Sequence, residues 1–208
     1  MGMLAGRRGG LVESRESVPS RHRAWWQAGF TIIELMVTLG VAAILAVVAV
    51  PSFRTYVLNA RRDSLVNGLV ASLHYARSEA LSLDQTVYLC AGTAGVEGTG
   101  CASGTWPAGW DVITDPADSA TAQLLVTHSL SDASTEPSIT AVNGSTYFEF
   151  SGNGLVKMDN AIGSELVVFC DSRGASEARA VEISTSGYIQ SSSRNGLAPD
   201  DVTALTCP

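Results

Sequence analysis

The feature that most constrains this chain of 208 residues is a single apolar segment, which runs from Phe30 to Val50. About 20 apolar residues are what an α-helix needs to cross the hydrocarbon of a bilayer. The segment contains one ionisable side chain, Glu34. Because a carboxylate in hydrocarbon needs a partner or a proton, its presence there indicates a functional residue. We therefore predict a transmembrane helix over about residues 30–50, in which Glu34 has a role.

The distribution of charge predicts the orientation of that helix. Residues 1–29 carry five Arg against two Glu, a net charge of +3, and the chain from Phe30 onward carries 8 Lys/Arg against 18 Asp/Glu, a net charge of −10. The positive-inside rule then places residues 1–29 in the cytoplasm and the rest outside. Arg54, Arg61 and Arg62 follow the apolar segment closely and oppose this orientation. An ordinary secretory signal is not indicated, because the apolar run is too long and the small residue Gly29 precedes it.

Four cysteines follow the apolar segment, and their spacing does not favour a metal site. None forms a C-x-x-C pair, and the three histidines do not cluster with them, so we expect no bound metal. An even number of cysteines in an exported domain favours disulfides. Of the three possible pairings we favour Cys90–Cys101, which closes a glycine-rich loop, with Cys170–Cys207, which fastens the C-terminus to a strand. Four buried free thiols are the alternative.

The hydrophobic pattern predicts an α+β fold. Apolar residues recur every three or four positions from Phe53 to Ala80, which predicts that the helix continues to residue 83 and packs this stripe on a sheet. Beyond it, β-branched and aromatic segments separated by turn residues predict antiparallel strands at 86–90, 110–114, 124–127, 138–142, 146–150, 165–170 and 178–183. Residues 151–154 and 186–187 are predicted hairpin turns. Residues 84–208 are then a β-rich globular head.

The start of the apolar segment resembles a known processing motif. Residues 29–37, Gly-Phe-Thr-Ile-Ile-Glu-Leu-Met-Val, closely resemble the N-terminal motif of type IV pilins and type II secretion pseudopilins. The resemblance implies that a prepilin peptidase removes a leader of residues 1–29 by cutting between Gly29 and Phe30, and that Phe30 is N-methylated. It implies that Glu34 attracts the N-terminal amine of a neighbouring subunit during assembly. Pro51 falls where many members of the family have a helix-kinking proline.

Motifs in the head resemble one branch of that family. Residues 74–80, 109–110, 148–154 and 170–174 are similar in type and order to motifs of the FimT/GspH minor pilins and pseudopilins. The resemblance implies a pilin-like fold and a minor pilin that takes part in type IV pilus assembly. It implies a single pass through the bacterial inner membrane, a periplasmic head, and then a filament whose partners are other pilins. A GspH-like pseudopilin of type II secretion is the alternative.

The sequence leaves other functions as alternatives to a minor pilin. A DNA-uptake or adhesion module at a pilus tip is a second alternative, because some members of the branch bind DNA through a basic turn near the C-terminus. The corresponding residues 186–190 contain no arginine, and a net charge of −10 offers little neutralisation of phosphates. The candidate DNA contacts are Arg173, Arg179 and Arg194.

The remaining alternative is an unrelated single-span membrane protein that is never processed and keeps its N-terminus at residue 1 or 3. The sequence contains no G-x-S-x-G, H-E-x-x-H or phosphate-binding glycine loop, so we expect neither an enzyme nor a cofactor.

Overall fold

The chain consists of one long helix followed by two antiparallel sheets. The structure, a computed structural model, describes residues 29–93, 101, 104–114, 122–130 and 137–207. Helix α1 covers Ile32–Leu83. The strands described after it are β1 (Val87–Ala91), β2 (Gly109–Thr114), β3 (Leu124–Ser129), β4 (Ser138–Ala141), β5 (Tyr147–Phe150), β6 (Val156–Met158), β7 (Ser164–Cys170), β8 (Arg179–Ser184) and β9 (Ile189–Ser191). The predicted α+β class is confirmed. Residues 1–28, nearly all of the predicted leader, lie outside the described residues.

The strands form a five-stranded sheet of order β3-β2-β1-β5-β6 and a four-stranded sheet of order β4-β7-β8-β9. All strand pairs described are antiparallel, with Leu89 opposite both Val112 and Phe148 at the centre of the larger sheet. Each of the seven predicted strands is present to within two residues. The sequence missed β6 and β9, which are three residues long and follow the two predicted hairpin turns.

By its internal residue contacts the chain consists of two units, which meet between Ala46 and Val47, inside α1. In the first part every described residue is exposed. In the second part α1 buries one stripe in a core shared with strands of both sheets: Val66, Leu69, Leu73, Ala76 and Ala80. The prediction was wrong at the start of this stripe. Phe53 and Tyr56 are 67% and 69% exposed, because burial on α1 begins only at Arg62.

An aromatic contact explains the glycine in the middle of α1. The buried Trp110 of β2 donates its Nε1–H to Ser72 Oγ on α1 at 2.9 Å. The Trp110 ring stacks on His128 of β3 with centroids 4.2 Å apart. A Cβ at Gly68 would lie 3.3 Å from His128 Cε1 and 3.5 Å from Trp110 Cζ2. Gly68 lowers the helix propensity by about 1 kcal/mol relative to Ala, but it lets this aromatic pair approach the helix.

The C-terminal residues cover the outer face of the smaller sheet. Successive side chains of a strand point to opposite faces, so Val167 and Phe169 of β7 enter the main core whereas Val168 enters a second, smaller one. Ala198 and Leu205 of the tail pack in this second core. The tail also follows the edge of β8 by backbone hydrogen bonds of 2.8 Å from Ser192 to Ala180 and from Gly196 to Ala178. The smaller sheet is therefore buried on both faces.

Candidate functional site

The first turn of α1 contains the one carboxylate of the apolar segment. Gly29 and Phe30 are exposed and precede the helix. Thr31 is the N-cap: its Oγ1 accepts a hydrogen bond from the backbone N–H of Glu34 at 3.2 Å, and its carbonyl accepts one from Leu35 at 3.1 Å. This arrangement satisfies N–H groups that a helix start leaves unpaired. It also places Glu34 in the turn where the helix dipole favours negative charge.

Sequence reasoning singled out Glu34 but missed its cap. Thr31-Ile32-Ile33-Glu34 has the T-x-x-E spacing of a capping box, so the signal was present. The cap fixes where α1 begins, two residues after the predicted cleavage point. Glu34 thereby takes a defined position at the third helical residue.

Among the residues that the structure describes, none buries the apolar part of α1. Every large apolar side chain from Phe30 to Val50 is at least half exposed, although isolated proteins seldom expose so large an apolar surface. By length and mean hydropathy, 2.6 in its most apolar window, α1 is able to cross a membrane. The helix continues through Pro51, which lies inside it. A kink at Pro51 stays a prediction.

Arg77 of α1 lies against both of the predicted hairpin turns of the head. Its Nη1 donates to the carbonyl oxygen of Gly187, in the β8–β9 turn, at 2.7 Å. A Cβ on Gly154, in the β5–β6 turn, would lie 3.5 Å from Arg77 Nε and Nη2. Both glycines have positive φ, +81° at Gly154 and +79° at Gly187, a conformation that other residues rarely adopt. The guanidinium therefore lies against two tight turns, one from each sheet.

A second cluster of charges joins α1 to the smaller sheet. Arg62 of α1 is 2% exposed. Its guanidinium bonds Asp63 at 3.3 Å, donates to the carbonyl oxygen of Glu177, and lies 3.7 Å from the Glu177 carboxylate. Arg179 of β8 bonds the same Asp63 at 3.5 Å.

Arg173 completes the cluster. It bonds Asp171 Oδ2 at 2.6 Å and approaches Glu177 at 3.6 Å. The hydrogen bond from Arg173 lowers the pKa of the Asp171 carboxyl below its ordinary value. Three arginines thus face three carboxylates.

The three candidate DNA contacts do not form one surface with free charge. Arg173 and Arg179 are paired with the carboxylates just described. Arg194 lies in the C-terminal tail and is exposed. Because phosphates are bound by cations that are not already neutralised, this geometry offers DNA little beyond Arg194. DNA binding stays an alternative that the sequence does not favour.

Both favoured disulfides are present. Cys90 at the end of β1 is bonded to Cys101, with Cα atoms 5.1 Å apart, and Cys170 at the end of β7 is bonded to Cys207, with Cα atoms 5.9 Å apart. The second bond holds the tail on the smaller sheet. Most of the glycine-rich loop that Cys90–Cys101 closes lies outside the described residues.

The described residues show no arrangement suited to a metal. They contain no group of three or more His, Cys, Asp or Glu side chains placed to hold an ion. An open groove of about 490 Å³ lies between the two hairpin turns. It is lined by Ser151, Leu155, Val156, Lys157, Thr185 and Ser186.

An exposed apolar N-terminal helix with one carboxylate in its first turn, continued by a β-rich head, defines a pilin-like structural subunit. Residues 27–50 match the prokaryotic N-terminal methylation motif. Residues 65–187, more than half of the chain, match the family described as type II transport protein GspH. The chain belongs to this GspH family, whose members are minor pilins and pseudopilins.

Two solved structures are similar to the chain. Both are crystal structures of the type IV minor pilin FimU from Pseudomonas aeruginosa strain PAO1, in space groups P21 and P65, and both are 21% identical to the chain. The first covers 63% of this chain and 87% of FimU with a TM-score of 0.47, and the second covers 68% and 99% with a TM-score of 0.48.

Proposed function

We propose that the chain is a minor pilin of a type IV pilus, made as a precursor and cut between Gly29 and Phe30, with Phe30 then N-methylated. The observation that carries the proposal is the exposed apolar surface of α1 up to Val50, together with the methylation motif at residues 27–50. Such a surface is stable only when lipid or other apolar helices cover it. Lipid covers this surface while the subunit is in the membrane, and the apolar helices of other subunits cover it after assembly into a filament.

Glu34 is proposed to pair with the N-terminal amine of a neighbouring subunit. It is the one ionisable side chain between Phe30 and Val50, and a charge in apolar surroundings is stabilised mainly by an opposite charge or by hydrogen bonds. Cleavage after Gly29 creates the required cation, an amine near the start of α1. Removal of the leader would thus supply the partner of Glu34 on the adjacent subunit.

The head, residues 84–208, is proposed to lie in the periplasm. Its two disulfides are typical of an oxidising compartment, and the excess of arginine before the apolar segment supports a cytoplasmic leader. The proposed partners are a prepilin peptidase, the inner membrane and other pilins. The role is structural, with no enzymatic activity.

The processing step is tested by N-terminal sequencing and intact mass of the membrane-bound form. We expect a chain that starts with N-methylated Phe30. A chain that starts at residue 1 or 3, or at any residue other than Phe30, contradicts the proposal.

The role of Glu34 is tested by three substitutions. We expect Glu34→Leu and Glu34→Gln to insert in the membrane normally but to be lost from sheared filaments, because neither side chain carries the negative charge that attracts the amine. Thr38→Leu, one turn further along α1, is the control for added apolar surface and should assemble. If Glu34→Gln assembles as well as the unchanged protein, the charge is not required and the pairing is wrong.

A pseudopilin of a type II secretion system is the second candidate, favoured by the match to a family described as type II transport protein. Deletion of the gene followed by complementation separates the two. Loss and recovery of surface pili supports the minor pilin. Loss and recovery of protein export across the outer membrane, with pili unaffected, overturns it in favour of the pseudopilin.

A further inference from the structure

Two arginines on α1 lie just beyond the apolar segment without an acidic partner. Arg54 and Arg61 are exposed, and their spacing of seven residues puts them on the same face of the helix. Among the described residues, neither lies within ion-pair distance of a carboxylate, whereas Arg62, Lys157, Arg173 and Arg179 all do. The proposed pairing of Glu34 does not use them, and their position opposes the positive-inside rule.

The charge of the chain is segregated around these arginines. From Leu35 to Arg62 the sequence contains three Arg and no Asp or Glu, whereas residues 84–208 contain 15 Asp/Glu and 4 Lys/Arg. A short basic stretch therefore separates the apolar segment from a strongly acidic head. Near an anionic surface, such a distribution attracts the basic stretch and repels the head.

The same stretch has exposed aromatic side chains, Phe53 and Tyr56. Aromatic rings of this kind are enriched where hydrocarbon meets headgroups. At 1.5 Å per residue, Arg54 lies about 6 Å beyond Val50, within the roughly 5–7 Å headgroup layer of one leaflet. Arg61 lies about 16 Å beyond Val50. Helical side chains tilt toward the helix N-terminus, so both guanidinium groups lean back toward the bilayer.

We propose that Phe53, Arg54, Tyr56 and Arg61 form a basic collar that binds the headgroups of anionic phospholipids before the subunit enters a filament. The aromatic rings set the depth of the helix and Arg54 binds headgroup phosphates, whereas Arg61, beyond the headgroup layer, is attracted to the anionic surface over about one Debye length, about 10 Å. The inference rests on the membrane insertion given above. The collar holds this part of α1 at the surface, while the acidic head is repelled from it.

The test uses the full processed chain in lipid nanodiscs of phosphatidylcholine, with and without phosphatidylglycerol. Hydrogen exchange is measured over residues 32–62, and the preference for phosphatidylglycerol over phosphatidylcholine is measured by native mass spectrometry in mixed micelles. We expect slower exchange at residues 51–62 when phosphatidylglycerol is present, and less slowing as salt is raised. Arg54→Gln should lower the lipid preference about fivefold, and Arg61→Gln, which lies further from the surface, should lower it less.

Arg194→Gln is the matched control, because it removes an exposed positive charge from the tail and should leave the lipid preference unchanged. An unchanged preference in the Arg54→Gln/Arg61→Gln double variant overturns the collar. If that variant keeps its lipid preference but is lost from filaments, the arginines bind carboxylates of another subunit and the proposal is likewise wrong. Rapid exchange throughout residues 32–50 in every disc overturns membrane insertion itself, a result distinct from failure of the collar alone.

Discussion

At the scale of single residues, Glu165 shows how a buried charge is held. It lies in β7 with its side chain fully buried. Its Oε1 accepts a hydrogen bond from the backbone N–H of Asn143 at 2.9 Å, and its Oε2 accepts one from that of Ser145 at 3.2 Å. The carbonyl oxygen of Ser145 accepts a hydrogen bond from Trp106 Nε1 at 2.9 Å. One carboxylate thus fixes the connection between β4 and β5, since a buried charge needs this degree of hydrogen bonding.

Replacing Glu165 with alanine should destabilise the protein by about 2–4 kcal/mol, because buried N–H groups lose their acceptor. The free energy of unfolding is measured by urea denaturation of the detergent-solubilised chain. Glu182→Ala on β8 removes the same charge from a half-buried residue and should change the stability by less than about 0.5 kcal/mol. Equal effects of the two substitutions would contradict the role given to the Glu165 hydrogen bonds.

At the scale of elements, the end of α1 depends on one strained residue. Asp84 follows the last helical residue and has a φ of +50°. The backbone N–H of Gln85 donates a hydrogen bond to the carbonyl oxygen of Ala80 at 3.3 Å. This is the pattern of a Schellman motif, in which glycine is the preferred residue at the left-handed position. The chain places an aspartate there, at a cost in conformational energy.

Asp84→Gly should therefore stabilise the protein by about 0.5–1 kcal/mol, and Asp84→Ala should destabilise it by a similar amount. Thermal unfolding followed by circular dichroism checks both. Similar destabilisation by both variants would show that the aspartate side chain, rather than the backbone, decides the stability of this helix end.

The elements also show what the sequence was able to predict. Long strands with β-branched residues, such as β7, were found because their pattern is local. The three-residue strands β6 and β9 were missed because so short a segment has no pattern of its own, although the turns that precede them were identified. Periodicity likewise predicted the stripe of α1 but not where its burial begins, since exposure of Phe53 depends on how far the sheets extend.

The candidate site was likewise predictable only in part. Glu34 was singled out by its isolation in an apolar segment. The cysteine pairing was predicted from the glycine-rich loop between Cys90 and Cys101 and from the place of Cys207 near the C-terminus. The contact of Arg77 with Gly187 and the pairing of Arg179 with Asp63 join residues more than 100 positions apart in sequence, which a single sequence does not bring together.

At the scale of the whole molecule, the stability of the chain should depend on pH through His128. Burial lowers the pKa of His128 below its ordinary value of 6.5. The folded state therefore keeps the imidazole neutral while the unfolded state takes up a proton as the pH falls. This contribution is complete above about pH 6.5 and is lost as the pH falls toward the folded-state pKa.

We expect the free energy of unfolding to fall from about pH 7.5 to about pH 5.5, a range below which carboxylates such as Asp171 begin to titrate. His128→Phe keeps an aromatic ring for the stack on Trp110 and should flatten this dependence, whereas His74→Gln, at an exposed position of α1, should not. Chemical denaturation at several pH values measures the slopes. A slope unchanged in His128→Phe would assign the dependence to other groups.

The position of Arg77 has a mechanical consequence. A filament subunit is pulled through its N-terminal rod, so tension reaches the β-rich part along α1. The Arg77 guanidinium donates a hydrogen bond to Gly187 in one hairpin and lies against Gly154 in another, so we expect part of this force to reach turns of both sheets. We expect this contact to raise the force that the subunit withstands before it unfolds.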